Sequence, residues 1–129
     1  MAAPGETDLD AMLSTLGVSR RPGVFAYIAV EVPTPGLIAA AHAMVKEGRL
    51  TTIVLPVAAA ERAGQSTDVQ FAWLTLTVQS SLDAVGLTAA VSARLAAIGV
   101  PCNVIAGYHH DHLLVPVDRA DDAISVLVP

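Results

Sequence analysis

The chain has 129 residues, the size of one ordinary domain or of two small domains packed together. Hydrophobic residues make up 53% of it, but many are alanine, and no run approaches the roughly 20 apolar residues that a membrane-spanning helix needs. Seven Lys and Arg against twelve Asp and Glu give a formal net charge of -5, without a basic stripe that would follow a phosphate backbone. We therefore expect a soluble protein that binds neither membranes nor nucleic acid.

The N-terminal segment and the single cysteine both indicate the cytoplasm. The segment MAAPGETDLD has no basic region and no long apolar stretch, so we expect neither a secretory signal nor a transit peptide. Cys102 cannot form a disulfide within the chain, which fits a reducing compartment.

Hydrophobic periodicity in the first half predicts five elements. In chain order they are a helix from Asp8 to Leu16, a strand over residues 24–32, a helix from Leu37 to Glu47, a strand from Leu50 to Leu55 and a helical turn over residues 57–64. The second of the helices depends on the helical spacing of Leu37, Ala41, Met44 and Val45 before Gly48.

The second half repeats this order of elements. We expect strands over residues 71–78, 102–106 and 111–117, a helix from about Ala84 to Ile98, and a last helix that begins at Asp118. The polar segment Gln65–Asp68 indicates a boundary, so we assign residues 1–66 and 67–129 to two halves of a diverged repeat. The second half lacks the final strand of a βαββαβ unit, and we expect Val24 to Val32 to supply it.

Small and polar residues join the predicted strand to the predicted helix over Ser80 to Gly86. A helix N-terminus exposes unpaired N–H groups and a partial positive charge, which suit a carboxylate, and Gly86 would let a ligand approach the backbone closely. The structural alternative is ordinary capping by Ser81 or Asp83, with Gly86 needed for packing between helix and sheet.

A histidine-rich turn, GYHHDH, covers Gly107 to His112. If a strand begins at His110, then His110 and His112 share one face, which is a familiar spacing for metal ligands. The alternative is a polar hairpin in which Asp111 orients a histidine by a hydrogen bond. Candidates for the third metal ligand are Asp111, Cys102 and His42.

Two further features have a structural and a functional interpretation. Cys102 precedes three histidines, the residue type that activates a catalytic cysteine, but its place at the start of a strand favours a small core residue. Phe25, Tyr27 and Trp73 lie on the non-core parity of their strands, which favours an interface between halves or subunits.

The segment VGLTAAVSARLAAIGVPCNVIAGYHHDHLLVPVDRADDAISVL resembles the ACT domain, and most closely small bacterial proteins built from two ACT-like halves. The resemblance is strong from Leu74 to Leu127 and looser over PGVFAYIAV and RLTTIVLP. It implies an α+β fold, a ferredoxin-like (ACT-type) βαββαβ sandwich, in which two ACT-like halves share or exchange a strand.

The same resemblance implies regulation or sensing through a ligand, typically an amino acid held at an interface between two ACT units. Backbone N–H groups near the start of the helix would hold the ligand carboxylate, and Asn103 would bond its other polar groups. The ligand-binding residues so implied are Ser80, Ser81, Asp83, Val85, Gly86, Leu87, Asn103 and Val104. Additional lining residues would be Tyr108, His110, Asp111 and His112.

We therefore expect a cytoplasmic, non-enzymatic protein that binds a small amino-acid-like ligand, forms a homodimer or higher oligomer, and needs neither a cofactor nor a metal. One alternative is a metal-binding protein or small metal-dependent enzyme that uses the turn from Gly107 to His112. Another is a protein-association module without a ligand, with Phe25, Tyr27 and Trp73 at the contact.

Overall fold

The computed structural model describes residues 8–78 and 85–129, which form two compact units. Unit 1 combines the described residues up to Pro22 with Ala72–Pro129, and unit 2 is Gly23–Phe71. The elements in chain order are α1 (Leu9–Ser14), β1 (Val18–Arg20), β2 (Phe25–Val30), α2 (Pro35–Ala40), β3 (Ala43–Glu47), β4 (Leu50–Pro56), α3 (Val57–Arg62), β5 (Phe71–Leu76), α4 (Leu87–Ala97), β6 (Asn103–Ala106), β7 (Asp111–Pro116) and α5 (Ala120–Leu127), with a 3-10 turn (Val117–Arg119) before α5. The division at residues 66 and 67 remains a prediction about two related halves, because compactness groups the first described residues with the C-terminal part of the chain.

Unit 1 has the predicted α+β, ferredoxin-like architecture. Its strands lie in the order β1-β5-β7-β6, and the chain runs β5-α4-β6-β7-α5, so β1 stands where the fourth strand of a βαββαβ unit belongs. Val18 pairs with Leu76 and Arg20 with Leu74, in antiparallel register. A strand from the N-terminal part is therefore shared, as predicted.

The shared strand is Val18–Arg20, and the prediction that Val24 to Val32 would supply it was wrong. The predicted strand exists as β2, but all six of its residues pair with β4 in unit 2, from Phe25 opposite Pro56 to Val30 opposite Thr51. Pairing between β2 and β5 is limited to Phe25 opposite Phe71, whereas all three residues of Val18–Arg20 pair along β5.

Helix α4 provides much of the core of unit 1. Leu87, Val91 and Leu95 recur every four residues, so their side chains lie on one face of the helix, and all three are buried. They pack with Met12 of α1 and Leu127 of α5. Burial of each such side chain stabilises the fold by about 2 kcal/mol.

Unit 2 has the order β2-α2-β3-β4-α3, with an antiparallel sheet ordered β3-β4-β2. The predicted helix from Leu37 to Glu47 is wrong beyond Ala40, because Ala43–Glu47 forms β3 and pairs with β4. Glu47 pairs with Leu50, which leaves a two-residue turn with Gly48 in the left-handed region at φ +62°. Pairing with the next strand, β4, across this two-residue turn has overridden local helix preference.

Within residues 8–78 and 85–129, no helix has both the length and the apolar character needed to cross a bilayer.

Candidate functional site

The start of α4 is the described part of the predicted ligand loop. Gly86 is its N-cap and has φ +100°, a backbone conformation that favours glycine. A Cβ added at Gly86 would lie 3.0 Å from Leu9 Cδ2, so α1 occupies the space beside the glycine. The close neighbour of Gly86 is thus a helix, α1, and not the sheet named above in the structural alternative. The predicted residues Ser80, Ser81 and Asp83 lie outside the described residues.

The two neighbours of Gly86 have opposite environments. The side chain of Val85 is 82% exposed, whereas Leu87 is 3% exposed and belongs to the core of unit 1. Leu87 can therefore meet a ligand only through its backbone, and Val85 presents the accessible side chain at this helix start.

The N-terminus of α4 differs from those of α1 and α2. The Asp8 carboxylate accepts from the backbone N–H groups of Asp10 and Ala11, and the Thr34 hydroxyl accepts from Leu37 N–H. The N-cap of α4 is a glycine, which has no side chain to accept such a bond, and the first turn of α4 carries no acidic residue. At 11 residues, α4 is the longest described helix, and its first N–H groups have no partner within the helix.

Asn103 and Val104 point to opposite sides of the sheet of unit 1. Val104 packs against the core, while Asn103 is exposed on the other side and pairs with Leu114. Ala106 and Asp111 are the last pair before the β6–β7 turn, so Asn103 lies three residues, or about 10 Å, further along β6.

A hydrogen bond places the β6–β7 turn beside the end of β5. Thr75, the penultimate residue of β5, has its Oγ1 2.9 Å from Nδ1 of His112, the second residue of β7. The sheet therefore brings the histidine turn to the end of the strand that leads into the predicted ligand loop. It does not bring Asn103 of the same unit to that end.

His112 belongs to a polar cluster that sequence reasoning had not identified. Trp73 Nε1 donates to His112 Nδ1 at 3.3 Å, and the Arg21 guanidinium lies 4.1 Å from the centroid of the Trp73 ring. An indole N–H can only donate, so Nδ1 of His112 is an acceptor and the neutral ring carries its proton on Nε2. The available signal was the strand parity of β5, which puts Trp73 and Thr75 on one face.

The cluster favours a neutral imidazole. Burial lowers the pKa of His112 below the ordinary value of 6.5, the positive charges of Arg21 and His110 lower it further, and Asp111 acts in the opposite direction. The hydrogen bond from Trp73 has the same effect, because a protonated Nδ1 cannot accept it. His112 is thus held as a hydrogen-bond acceptor, with Trp73 and Thr75 as its partners.

The turn itself is compact, and β7 begins at Asp111, as predicted for the strand over residues 111–117. Gly107 N–H donates to His110 O at 2.9 Å, and a Cβ at Gly107 would lie 2.8 Å from that oxygen and 2.9 Å from His112 Nε2. Tyr108 is 75% exposed, and its ring meets that of His109 edge to face at a centroid distance of 4.7 Å. Tyr108 is the accessible side chain of this turn.

The described residues give limited support to metal or thiol chemistry. No group of three His, Cys, Asp or Glu side chains within the described ranges is placed to hold a metal ion. Cys102 is half-buried against the core of unit 1, and burial raises the pKa of its thiol, which disfavours the nucleophilic thiolate.

The three predicted interface aromatics are in close ring contacts. In unit 2, Phe25 meets His42 at a centroid distance of 4.9 Å, and Tyr27 meets Phe71 at 5.2 Å, both edge to face. In unit 1, Trp73 is 2% exposed and contacts His112. Their role at an interface remains a prediction.

Comparisons with known proteins agree on the fold. Residues 68–128 match the sequence model of the ACT domain. A Vibrio cholerae protein of unknown function, described as a possible transport protein, is 36% identical, with a TM-score of 0.84 over 93% of this chain and 92% of its own. No curated protein matches the chain by sequence.

Two more distant structures have the same fold and belong to aspartate kinases. The regulatory subunit of aspartate kinase from Thermus thermophilus, in a ligand-free form, is 11% identical with a TM-score of 0.59, over 88% of this chain and 95% of that one. The aspartate kinase of Clostridium acetobutylicum, an allosteric enzyme, is also 11% identical, with a TM-score of 0.61 over 87% of this chain and 33% of the enzyme.

Proposed function

This chain belongs to the ACT-domain family, and from that premise we propose that it is a regulatory protein that binds a free amino acid at the start of α4 in unit 1. ACT domains are regulatory domains that commonly bind small molecules and form oligomers. The amino acid as ligand, the absence of catalysis, the cytoplasmic location and the oligomer are parts of this proposal.

The glycine N-cap of α4, which has no side chain to accept from the first N–H groups, is the observation that carries the proposal. Its first N–H groups, together with the positive end of the helix dipole, suit the carboxylate of an amino acid. Val85 is the exposed side chain beside them, and Gly86 and Leu87 contribute backbone only, since one has no side chain and the other is buried. Ser80, Ser81 and Asp83 complete the proposed loop.

Asn103 enters the proposed site from a second copy of the chain. Within one unit Asn103 lies about 10 Å along β6 from the β6–β7 turn, away from the end of β5. However, β6 is the last strand in the sheet order of unit 1. An edge strand can approach another copy through its unpaired side. We therefore propose that an oligomer brings Asn103 and the backbone of Val104 to the α4 start of a neighbouring copy, with Tyr108, His110, Asp111 and His112 lining the site.

We propose binding without catalysis because the reactive groups near this site are engaged or unreactive. His112 Nδ1 accepts hydrogen bonds, and burial raises the pKa of the Cys102 thiol. Neither group is poised as a nucleophile or as its activating base.

A thermal-shift screen of the common amino acids tests this function on the full chain. Binding to the folded state raises the melting temperature by mass action, so at least one amino acid should produce a saturable rise. Val85→Glu should weaken binding about tenfold, because a carboxylate at this helix start repels the ligand, while the free energy of unfolding should change by less than about 0.5 kcal/mol.

Val69→Glu is the matched control. Val69 is also an exposed valine, in the loop before β5, and the substitution adds the same charge away from α4. It should leave the ligand-induced shift unchanged. A screen in which no amino acid raises the melting temperature, or an equal loss of binding in both variants, would contradict the proposal.

A further inference from the structure

A groove of about 320 Å3 lies on the helical side of unit 2, between α2 and α3. Leu37 and Ala59, both part of the buried core of unit 2, form its floor. Gly36, Ala40 and Ala63 form its walls. The volume is at the lower end of the range for small-molecule sites and fits one small organic molecule.

The groove exists because the residues around it are small. A Cβ added at Gly36 would meet only Thr34 Oγ1, at 3.9 Å, so there is open space where a larger side chain would fit. Gly36 also lies outside the positive-φ region. A side chain at this position would therefore fill the groove without straining the backbone.

Arg62, at the end of α3, carries the one charge among the described residues that line the groove. Three other arginines pair with carboxylates, namely Arg20 with Asp121, Arg49 with Glu31 and Arg119 with Asp122. Arg62 forms no ion pair with any carboxylate in the part of the chain that the structure describes. A cation at a helix C-terminus also has a structural role, but here it borders an apolar groove as well.

The start of α2 offers few free N–H groups to an anion. Pro35 has no N–H, and the N–H of Leu37 already donates to Thr34 Oγ1 at 3.2 Å. Recognition of a negative charge in this groove therefore depends on the Arg62 guanidinium, whose planar donors suit a carboxylate.

We propose that this groove in unit 2 binds a small aliphatic carboxylate, whose alkyl part covers Leu37 and Ala59 and whose carboxylate pairs with Arg62. The described lining contains no acidic residue, so an α-ammonium group would have no anionic partner and would lie in the field of a cation. The ligand thus differs in chemistry from the free amino acid proposed for unit 1.

Three probes with one carbon skeleton separate the features of this ligand. They are 4-methylpentanoate, its neutral amide 4-methylpentanamide, and leucine, which adds an α-amino group. In a titration of the full chain followed by 1H–15N NMR, 4-methylpentanoate should shift the amides of Gly36, Ala40 and Ala63 in a saturable way. The amide and leucine should bind at least about tenfold more weakly than 4-methylpentanoate, as judged from the same shifts.

Two substitutions and two controls test the residues. Gly36→Leu should abolish the shifts by filling the groove, and Arg62→Gln, an exposed change that keeps the fold, should weaken binding about tenfold. Arg49→Gln removes the same charge elsewhere in unit 2 and should change nothing. Val85→Glu should also leave this binding intact, so failure of the amino-acid proposal and failure of this one are distinguishable.

The proposal is overturned if 4-methylpentanoate causes no saturable shifts, if 4-methylpentanamide binds as well as the acid, or if Gly36→Leu still binds. It is also overturned if Arg49→Gln weakens binding as much as Arg62→Gln does, because the guanidinium at the groove would then have no specific part.

Discussion

Unit 1 and unit 2 share the order β-α-β-β-α but differ in the helix after the first strand and in the hairpin turn. Helix α4 spans 11 residues, against six for α2, and the turn between β6 and β7 has four residues, against two between β3 and β4. The four-residue turn of unit 1 contains Tyr108 and two histidines, whereas the shorter helix of unit 2 lies beside a groove. The two units thus have similar sheets but different side chains and cavities at the helix after the first strand and at the hairpin turn.

The framework itself is closely matched between the units. In each unit the third strand of the βαββα order ends in a proline that leads directly into a helical segment, with φ −57° and ψ 140° at Pro56 and φ −51° and ψ 135° at Pro116. The first strands begin with Phe-Ala-Tyr and Phe-Ala-Trp. The two units therefore resemble each other in the starts of these strands and at this proline junction, where the ring fixes φ.

Removal of a core side chain from α1 should give the largest loss of stability, and this loss should begin in unit 1. Met12 is fully buried in the core of unit 1, so Met12→Ala should lower the free energy of unfolding by about 3 kcal/mol. Hydrogen exchange should show the loss of protection first in β5 and β7, which belong to the same unit.

Met44→Ala is the control for this prediction. Met44 is 42% exposed on β3 of unit 2, so its truncation should cost less than about 0.5 kcal/mol. If Met12→Ala instead reduced protection first in β2 and β4, α1 would not belong to the core of unit 1.

The two hairpin turns contain glycine for different reasons. Substitutions there should cost less stability than Met12→Ala does. Gly48 has a positive φ with open space around it, whereas Gly107 does not have a positive φ but lies close to His110 O and His112 Nε2. Gly48→Ala should therefore cost about 1 kcal/mol and Gly48→Asn less, because Asn tolerates the left-handed region. Gly107→Asn should cost at least as much as Gly107→Ala, since the restriction there is steric.

Urea unfolding of the four glycine variants shows whether Ala or Asn is better tolerated at position 48 and at position 107. An Asn variant that is better tolerated than Ala at both positions would mean that backbone conformation governs Gly107 as well. An Ala variant that is better tolerated at both would remove the conformational explanation for Gly48.

Local patterns in the sequence predicted the parts of the fold that local interactions determine. The spacing of Leu87, Val91 and Leu95 gave α4 because each position is buried on one helix face. The same argument failed for residues 41–47, where the spacing of Ala41, Met44 and Val45 also fits a short helix followed by an exposed edge strand. The pairing with β4 across the two-residue turn decides between them, and helical spacing within residues 41–47 does not include that pairing.

In the candidate site, too, contacts between residues that are distant in sequence were not predicted. From the sequence, Gly86 was considered for close approach of a ligand or for packing, but the contact with Leu9 joins residues that are far apart in sequence. The hydrogen bond from Trp73 to His112 spans 39 residues. The ferredoxin-like resemblance implies that β5 and β7 are neighbours, but not the register that brings His112 to Trp73 and Thr75, so the cluster was found only in the structure.

The smallest predicted effect is a pH dependence of stability that comes from the polar cluster around His112 in unit 1. The pKa of His112 is lowered in the folded state by burial and by Arg21 and His110, against Asp111, so the unfolded chain takes up a proton near pH 6.5 before the folded chain does. The free energy of unfolding should therefore fall as pH decreases below 6.5 and level off below the folded pKa. Urea unfolding across this range measures the slope.

Replacement of His112 by two amides separates titration from hydrogen bonding. Asn places its oxygen near the position of Nδ1, where it can accept from Trp73 and Thr75, whereas Gln extends towards the position of Nε2. Both His112→Asn and His112→Gln should reduce the slope below pH 6.5, because neither side chain titrates. Above that pH, His112→Asn should be the more stable of the two, since it alone keeps the acceptor. An unchanged slope in both variants would assign the pH dependence to other groups, and equal stability would show that the Trp73 and Thr75 hydrogen bonds contribute little to unit 1.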